Sequence, residues 1–513
     1  MKQGSITVFC AISMMLIVSF LFALLEAARM YGLDAYARLK TEAGADSVCA
    51  EFQPLLWEQY GLLALDGAYG TNHFSIDYVK ESLEQNVENS CKKGETMLSH
   101  MVTDLFRVEL VESKVQGYAL FTDDKGELFL DYVAEREKEA LPLGIAESLY
   151  EDYQKGQEIY DGQSGLSEAV SNAEAALTEA KNYKWNLIEA KVQNAETEEE
   201  EEAARAERAV FQAPQLVALG NLLKGTGDIR KSFTLDMILE DSSEISGVKN
   251  NLPDDLWSRE KQEGTMQFIK ERDWYRKTLV LHYLENYFSN YLHAKDGHYL
   301  RYELEYVLCG RDTDWKNLEE TFNKILFARE VANITYLLKD KEKLQEAEYL
   351  AQAVGLLIGE NPAVVKVIQA GIVAAWAYAE SILDVRALVR GMEIPLVKNG
   401  AQWTTEMEHI LTVVQYDMIA KECNAGWRYI DYMKQLLYFE QDSVLAYRML
   451  EVMEMGLRSV PDYSNCRMNQ MLIALQCQLH FEVEPLFFSL MTIGSDDIGI
   501  FHFEKEAERC YIP

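Results

Sequence analysis

A chain of 513 residues with 48% hydrophobic and 11% aromatic residues can form a large folded core, which excludes a wholly disordered protein. Its 83 acidic and 49 basic residues give a formal net charge of −34, which repels polyanions and argues against nucleic acid as a partner. Length alone predicts roughly two to four domains.

The first segment is an apolar run without charged residues, from Ile6 to Leu25. A helix of this length rises about 30 Å, the thickness of the hydrocarbon core of a bilayer. The run is a membrane anchor, a cleaved signal peptide, the processed leading helix of a pilus-like subunit or a buried soluble helix. Signal peptides usually have shorter apolar regions before a small-x-small site, and cleavage after Ala28 would place Glu26 at position −3. We predict an uncleaved anchor.

The anchor contacts membrane lipid through residues 6–25 in this interpretation. Its small and flexible residues would let neighbouring helices approach closely. The residues that we assign to the membrane helix are Ile6, Ala11, Ser13, Ser19, Ala23 and Leu25. Positive charges lie on both sides of the run, but a four-residue tail has little means to cross a membrane. We expect a single-pass protein of the cell membrane with a cytoplasmic N-terminus and an extracytoplasmic bulk.

Several segments carry a family resemblance: GSITVF and LLEAAR at the ends of the run, then TEAGADSVCAEFQPLLWEQYGLLALD. They resemble an uncharacterised family of membrane-anchored proteins from Gram-positive bacteria, and the similarity extends to residues 305–338 and 379–398. The opening helix is similar to that of TadE/TadG-like minor pseudopilins of tight-adherence pilus systems. This resemblance implies a minor component of a pilus or secretion apparatus, with envelope or pilus-apparatus proteins as partners.

Prepilins are cut after a glycine and carry a glutamate at the fifth position of the mature chain. The matching processing site here lies between Gly4 and Ser5, and Phe9 would then occupy the fifth position. A charge pair of the pilin kind within the membrane is therefore not supported. Cleavage between Gly4 and Ser5 stays a hypothesis.

Eight cysteines are spread along the chain without a CxxC pair, which argues against a zinc site of the usual kind. Cys10 lies inside the apolar run and leaves an odd number elsewhere. We therefore expect buried free thiols rather than a disulfide framework, although one or two bridges among Cys466, Cys477 and Cys510 remain an alternative.

Catalytic motifs are also absent from the sequence. His293 and His298 are five residues apart, a spacing that does not place both on one helical face, and HExxH does not occur. Carboxylate pairs are too common among 83 acidic residues to single out two. We predict no catalytic residue, no cofactor and no bound metal, and hence a protein that is not an enzyme.

Helical periodicity dominates after the anchor. Leu33, Ala37, Leu39 and Ala43 predict that the membrane helix continues outward as a stalk. A seam from Leu166 to Leu187 alternates steps of four and three, as in a helical hairpin or short coiled coil, and fits internal packing as well as dimerisation. The acidic run 196–202 predicts a solvated loop or helix tip. Residues 367–379 lack charges but are too few to span a bilayer, so we expect a buried helix.

Strands are predicted near both ends of the chain. Ile473 to Val483 alternates apolar and polar residues, and a partner strand follows from Ile498. LFRVELVESKVQGYALF and GELFLDYVA flank the turn TDDKG, which fits a hairpin or a strand leading into a helix. Because an isolated hairpin is marginally stable, we expect all these strands in one antiparallel sheet.

The predicted fold class is α+β and mostly helical, with an N-terminal transmembrane helix, a small antiparallel sheet joining residues near 106–133 and 468–510, and a large helical insertion. The predicted divisions are an anchor (1–28), a helical stalk with N-terminal strands (29–135), a helical hairpin or short coiled coil with an acidic tip (136–225), a helical bundle (226–460) and C-terminal strands (461–513) packing with 106–133. The expected function is that of a membrane-anchored extracytoplasmic structural or assembly protein. A membrane-tethered cell-envelope hydrolase or a surface binding module is the alternative.

Overall fold

The computed structural model describes residues 3–91, 105–161, 166–211, 214–231, 233–266, 268, 274–358, 361–410, 418–423, 425–487 and 499–512. The chain forms two compact units. Unit 1 consists of Met1–Glu139, Asn251–Arg276 and Asp442–Pro513, and unit 2 consists of Ala140–Asn250 and Lys277–Gln441. The two ends of the chain therefore share unit 1, and most of the helices belong to unit 2. This arrangement confirms the predicted fold class.

Unit 1 combines long helices with the sheet. Its elements in chain order are α1 (Gln3–Cys49), α2 (Pro54–Tyr60), β1 (Leu65–Asp66), α3 (Ile76–Cys91), β2 (Glu109–Leu120), α4 (Glu127–Glu137), α15 (Asp442–Arg458), β3 (Met471–Val483) and β4 (Phe501–Cys510). Pro54 begins α2, where its missing N–H is no loss, and Gly61 ends it with a left-handed φ of 63°.

The central strand of the sheet is β3, and all described pairings are antiparallel. Strand β2 pairs along one edge of β3, from Glu109 opposite Glu482 to Leu120 opposite Leu472. Strand β4 pairs along the other edge, with Phe501 opposite Val483, and the short β1 continues that edge. The predicted sheet is confirmed, and its strands come from segments more than 350 residues apart in sequence.

The core of unit 1 lies on one face of this sheet. The odd-numbered residues of β3 from Leu475 to Val483 are buried, whereas the even-numbered ones from Gln476 are partly exposed, as the alternation predicted. Helix α1 packs against β4 and α3, and α3 packs against β2. The residues that α1 buries here are Leu33, Ala37, Ala45 and Val48. The predicted Leu39 is instead 60% exposed, so the buried stripe follows a helical period closer to four.

Only part of the segment 106–133 is a strand. After β2 the turn TDDKG contains three consecutive residues with positive φ, Asp124 at 51°, Lys125 at 60° and Gly126 at 84°. The chain then enters α4, so GELFLDYVA forms a helix and not the second arm of a hairpin. Leu128, Phe129 and the other apolar residues of this segment are buried on several sides. Burial within unit 1 thus overrides their strand propensity.

In the part of the chain that the structure describes, unit 2 is helical apart from two isolated antiparallel bridges, one between Lys249 and Thr313 and one between Ile394 and Trp427. Its helices are α5 (Leu143–Asp161), α6 (Leu166–Gln193), α7 (Glu198–Phe211), α8 (Pro214–Lys231), α9 (Trp274–Tyr287), α10 (Glu303–Cys309), α11 (Asp314–Lys339), α12 (Lys341–Ile358), α13 (Pro362–Leu388) and α14 (Tyr429–Tyr438). Helix α9 begins in unit 1 and continues into unit 2 at Lys277.

Helix α13 lies at the centre of unit 2 and packs against α6, α11 and α12. It is long and apolar enough to cross a membrane, but 56% of its most apolar window is buried inside the unit. At Gly371 the helix approaches α6 closely, because a methyl group added there would lie 2.2 Å from Cβ of Ala173 on α6. The seam of α6 therefore packs internally at Val170, Ala173 and Leu177, while Leu187 at its far end is exposed.

Candidate functional site at the apolar helix

The first part of α1 exposes nearly all of its apolar side chains. Ile6 is 66% exposed, Phe9 70% and Phe20 64%. The residues assigned to the anchor all lie on this helix, where Ile6, Ala11, Ser19 and Leu25 are exposed and Ser13 and Ala23 are half-buried. Gly4 and Ser5 belong to its first turn. The structure thus contains an N-terminal helix that is long and apolar enough to span a membrane.

The exposed run ends at a buried ion pair. Glu26 is 0% exposed and Arg29 4% exposed, and Nη1 of Arg29 donates to Oε1 of Glu26 at 2.8 Å, one helical turn apart. A charge is buried without large loss only when it is paired and its remaining donors or acceptors are satisfied. Both side chains find such partners in two other segments of unit 1.

Arg29 binds three backbone carbonyls besides Glu26. Its Nε donates to the carbonyl of Leu105 at 2.6 Å, Nη2 to that of Phe106 at 2.9 Å, and Nη1 to that of Glu484 at 3.0 Å. The planar guanidinium carries five N–H donors in a fixed fork, which suits a site where several chain segments meet. Arg29 thereby holds the entry to β2 and the exit from β3 against α1.

Glu26 accepts a hydrogen bond from the backbone that follows β3. The backbone N–H of Phe487 donates to Oε2 of Glu26 at 2.6 Å. The Phe487 ring stacks on Phe22, with centroids 6.2 Å apart, and Phe106 packs against Tyr36 at 5.1 Å. We call Glu26, Arg29 and the backbone groups that they bind the clasp. It fixes the end of the apolar run to the sheet.

From the sequence alone, Glu26 was interpreted only as a residue that disfavours signal-peptidase cleavage. Arg29 was only one of the positive charges that flank the apolar run. Their opposite charges at spacing i, i+3, directly after twenty uncharged residues, were the available signal. Their partners come from residues 76 to 461 positions away, which no local pattern reveals.

Two buried polar clusters occupy the interior of unit 2. In the first, Nε of Arg329 donates to Oδ2 of Asp384 at 3.0 Å, and the ammonium of Lys398 contacts both Asp384 and Glu380. All four side chains are enclosed, and their formal charges cancel. Burial disfavours ionisation of Asp384, but Lys398 and Arg329 hold its pKa below the ordinary value. This cluster joins α11 and α13 to the segment around Lys398.

The second cluster contains buried carboxyl groups. Burial raises the pKa of Glu305 to about 7, although its Oε1 accepts hydrogen bonds from the Tyr429 hydroxyl at 2.7 Å and the Tyr291 N–H at 2.9 Å. Burial also raises the pKa of Asp314, which accepts from the Ser246 hydroxyl at 2.5 Å. Both carboxyl groups are 0% exposed, so these perturbed acids are closed to a substrate in solution.

Histidines and cysteines show where a metal could bind. Nδ1 of His298 lies 2.8 Å from Oε2 of the buried Glu303, which is an interaction within the core. All eight cysteines are free. Among the described residues, the group with three metal-donor atoms within 4.8 Å of one another is His480, Glu482 and His502, on the exposed face of β3 and β4.

Comparisons with known proteins give one family. The model of DUF5702, a family of unknown function, matches residues 215–483, more than half of the chain. Neither the curated proteins nor the solved structures contain a match. The matched range begins at the start of α8 and ends at the last residue of β3, so it includes both buried clusters of unit 2, while α1 and the clasp residues Glu26 and Arg29 precede it. The chain belongs to DUF5702, a family whose function is unknown.

Proposed function

We propose that this protein is a single-pass, membrane-anchored structural or assembly component of the cell envelope, with a cytoplasmic N-terminus and an extracytoplasmic body. The observation that carries the proposal is the exposure of thirteen large apolar side chains between Ile6 and Leu25 on a helix that then enters the core of unit 1. Soluble proteins rarely expose an apolar surface of this extent unless it is an interaction site.

The energetic argument is direct. Fully burying one exposed Val, Leu, Ile, Phe or Met side chain is worth about 1.5–3 kcal/mol. The thirteen here are 37–72% exposed, so removing their remaining surface from water is worth roughly 10–25 kcal/mol. A bilayer removes all of them from water at once and satisfies the helical backbone internally. The uncharged run ends at Glu26, the first residue whose charge the body of unit 1 compensates.

The same helix supports a mechanical role. Helix α1 continues without a break from Gln3 to Cys49, and its second half contributes Leu33 and Val48 to the core of the sheet. A displacement of the anchor within the membrane would therefore be transmitted to the sheet through the clasp and this core. The role is structural in our proposal, because the carboxyl groups of Glu305 and Asp314 are enclosed, whereas the apolar first part of α1 is exposed and can serve as a contact surface.

The resemblance of the opening helix to TadE/TadG-like pseudopilins extends the proposal to a pilus or secretion apparatus. In that setting, residues 6–25 would pack against the corresponding helices of other subunits, with Ala11, Ser13, Ser19 and Ala23 allowing close approach. Cleavage between Gly4 and Ser5 is the covalent step that this extension requires.

Two measurements test the proposal separately. The mature N-terminus, determined by intact mass on protein extracted from membranes, is Ser5 if the chain is processed like a prepilin. A start at Met1 removes the pilus extension and keeps the anchor, whereas a start beyond Leu25 refutes the anchor itself.

Orientation is tested by thiol labelling in intact cells. Tyr31 is 83% exposed and lies just past the apolar run, so a Tyr31→Cys variant in a Cys510→Ser background should react with a membrane-impermeant maleimide. A Lys2→Cys variant in the same background should react only after lysis. The reverse pattern would place the body in the cytoplasm.

A further inference from the structure

We propose that His480, Glu482 and His502 form a binding site for one divalent transition-metal ion, with Zn²⁺ as the representative ion. The site lies on the solvent-facing side of the sheet in unit 1, opposite the face that packs against α1. It goes beyond the anchor and assembly function, since it assigns a ligand to this sheet.

The pairing of β3 with β4 brings the side chains together. His480 lies directly opposite Glu504, and Glu482 directly opposite His502, in the antiparallel register. Residues two apart on a strand share a face, so these four side chains occupy the corners of one small patch. The histidines lie on one diagonal of the patch and the glutamates on the other.

The donor atoms have the spacing of a metal site. Nε2 of His480 lies 3.2 Å from Nδ1 of His502, Nδ1 of His502 lies 3.4 Å from Oε1 of Glu482, and Nε2 of His480 lies 3.8 Å from the same oxygen. A tetrahedral zinc ion with bonds of about 2.0–2.1 Å separates its ligand atoms by about 3.3–3.4 Å. The circle through the three observed atoms has a radius of about 2.0 Å, close to the radius of about 1.9 Å for three ligands of a tetrahedral zinc ion with such bonds.

Glu504 fits the role of a supporting carboxylate. If Nε2 of His480 gives its lone pair to the ion, its proton resides on Nδ1, and Oε1 of Glu504 lies 3.6 Å from that nitrogen. Metal-binding histidines generally donate their other ring N–H to a carboxylate or carbonyl, which fixes the tautomer and the ring orientation. A small closure of this gap would make the hydrogen bond.

Two imidazoles and one carboxylate leave a coordination position open. The side chains of His480, Glu482 and His502 are 23%, 32% and 56% exposed, so the ion would face solvent on one side. Water or a donor from a partner protein can take that position. Imidazole ligands favour Zn²⁺, Ni²⁺ or Cu²⁺ over Mg²⁺ or Ca²⁺, which prefer oxygen ligands.

The patch also lies close to the clasp. Glu484, whose carbonyl accepts from Arg29, follows Glu482 by two residues, or about 7 Å of extended chain. The metal site would thus lie at the end of the sheet where α1 leaves its apolar run. A bound ion would crosslink the ends of β3 and β4 at that point.

A simpler account is that the patch consists only of cross-strand hydrogen bonds and His–Glu ion pairs. Zinc titration of the full-length chain in detergent, stripped with a chelator, distinguishes the two at pH 7.5. We expect one Zn²⁺ per chain by calorimetry and, with Co²⁺ as probe, the strong visible absorption of a low-coordinate site. Affinity should fall as the pH is lowered, because the imidazoles must be neutral to bind.

Variants locate the binding. His480→Ala and His502→Ala should each weaken Zn²⁺ binding more than about 100-fold, and Glu504→Gln about 10–100-fold, as for other outer-shell carboxylates. The matched controls are Glu506→Gln, which removes a carboxylate from the same face of β4, and His73→Ala, which removes an exposed histidine elsewhere; both should bind as the unmodified chain does. Circular dichroism checks that each variant folds. The proposal is wrong if Zn²⁺ does not bind, or if binding survives His480→Ala and His502→Ala unchanged.

Discussion

Arg29 lies one helical turn after Glu26 on α1, and the two side chains form a 2.8 Å ion pair from which water is excluded. The pair lies at the point where the uncharged run of α1 ends and the folded part of unit 1 begins. Its remaining donors and acceptors bind the backbone of two other segments, at Phe106 and Phe487. The clasp is therefore the connection through which the apolar run of α1 and the sheet hold each other in place.

Breaking the clasp on one side should destabilise unit 1. Arg29→Met leaves the Glu26 carboxylate buried without its counter-charge and three carbonyls without a donor. Losing one partner of a buried pair costs about 3–5 kcal/mol, which we expect to see by urea unfolding in detergent. The double variant Glu26→Gln/Arg29→Met should recover part of the loss, because no charge then remains buried.

The exposed pair Arg38–Glu42 on the same helix is the matched control. Its side chains are 71% and 38% exposed, so Arg38→Met should change the free energy of unfolding by at most about 1 kcal/mol. An Arg29→Met chain as stable as the Arg38→Met chain would contradict the role that we give to the clasp.

In the ion cluster of unit 2 as well, removing one charged partner should destabilise the fold more than removing two opposite charges together. Lys398→Met removes one cation from a group of four compensating charges and leaves Glu380 and Asp384 with Arg329 alone. We expect a loss of about 3–5 kcal/mol in thermal or urea unfolding, and a smaller loss for Lys398→Met/Glu380→Gln. Additive effects of the two substitutions would show that the residues act independently.

Glu305 should make the stability of unit 2 depend on pH. The folded chain keeps the proton on Glu305 up to a pKa of about 7, whereas an unfolded chain releases it near pH ~4.3. The folded state binds more protons between these values, so its stabilising contribution is complete below the lower pKa. That contribution is lost as the pH rises through the upper pKa. The free energy of unfolding should fall by roughly 4 kcal/mol across the window.

Glu305→Gln imitates the protonated carboxyl group and should remove this slope. Urea unfolding at pH 4.5, 6 and 7.5 gives the free energy of unfolding of the variant and of the unmodified chain. The change with pH in the difference between these two free energies measures the contribution of Glu305. Glu406→Gln, at a glutamate whose side chain is 79% exposed, serves as control. Parallel curves for Glu305→Gln and the unmodified chain would refute the prediction.

Gly371 tests whether α13 is a packed core helix. Gly371→Ala places a methyl group 2.2 Å from Cβ of Ala173 and 3.2 Å from Cδ2 of Leu223, so the helices must separate. Overpacking of this kind costs about 1–3 kcal/mol. Gly220→Ala on α8 meets its nearest neighbour only at 3.9 Å and should gain up to about 1 kcal/mol from helix propensity. Equal stability of the two variants would argue against the packed arrangement.

Local patterns were sufficient for elements whose burial repeats along a single segment. The alternation from Ile473 to Val483 predicted β3 and its buried face because each residue of a strand points opposite to its neighbour. The charge-free run predicted the first part of α1 as a helix of spanning length. GELFLDYVA was ambiguous, because an apolar segment of nine residues fits either a strand or a buried helix. Only its packing in unit 1 selected the helix.

The sequence by itself determined that this protein has an uncharged apolar helix at its start, a small sheet built from its two ends and a large helical middle. The tertiary structure decided what surrounds each charged side chain. Arg29 meets the carbonyl of a residue 455 positions away, and His480 meets His502 only because β3 and β4 pair in one register. Such contacts depend on long-range packing, and a one-residue shift of that register would turn His502 to the other face and remove the metal-binding geometry.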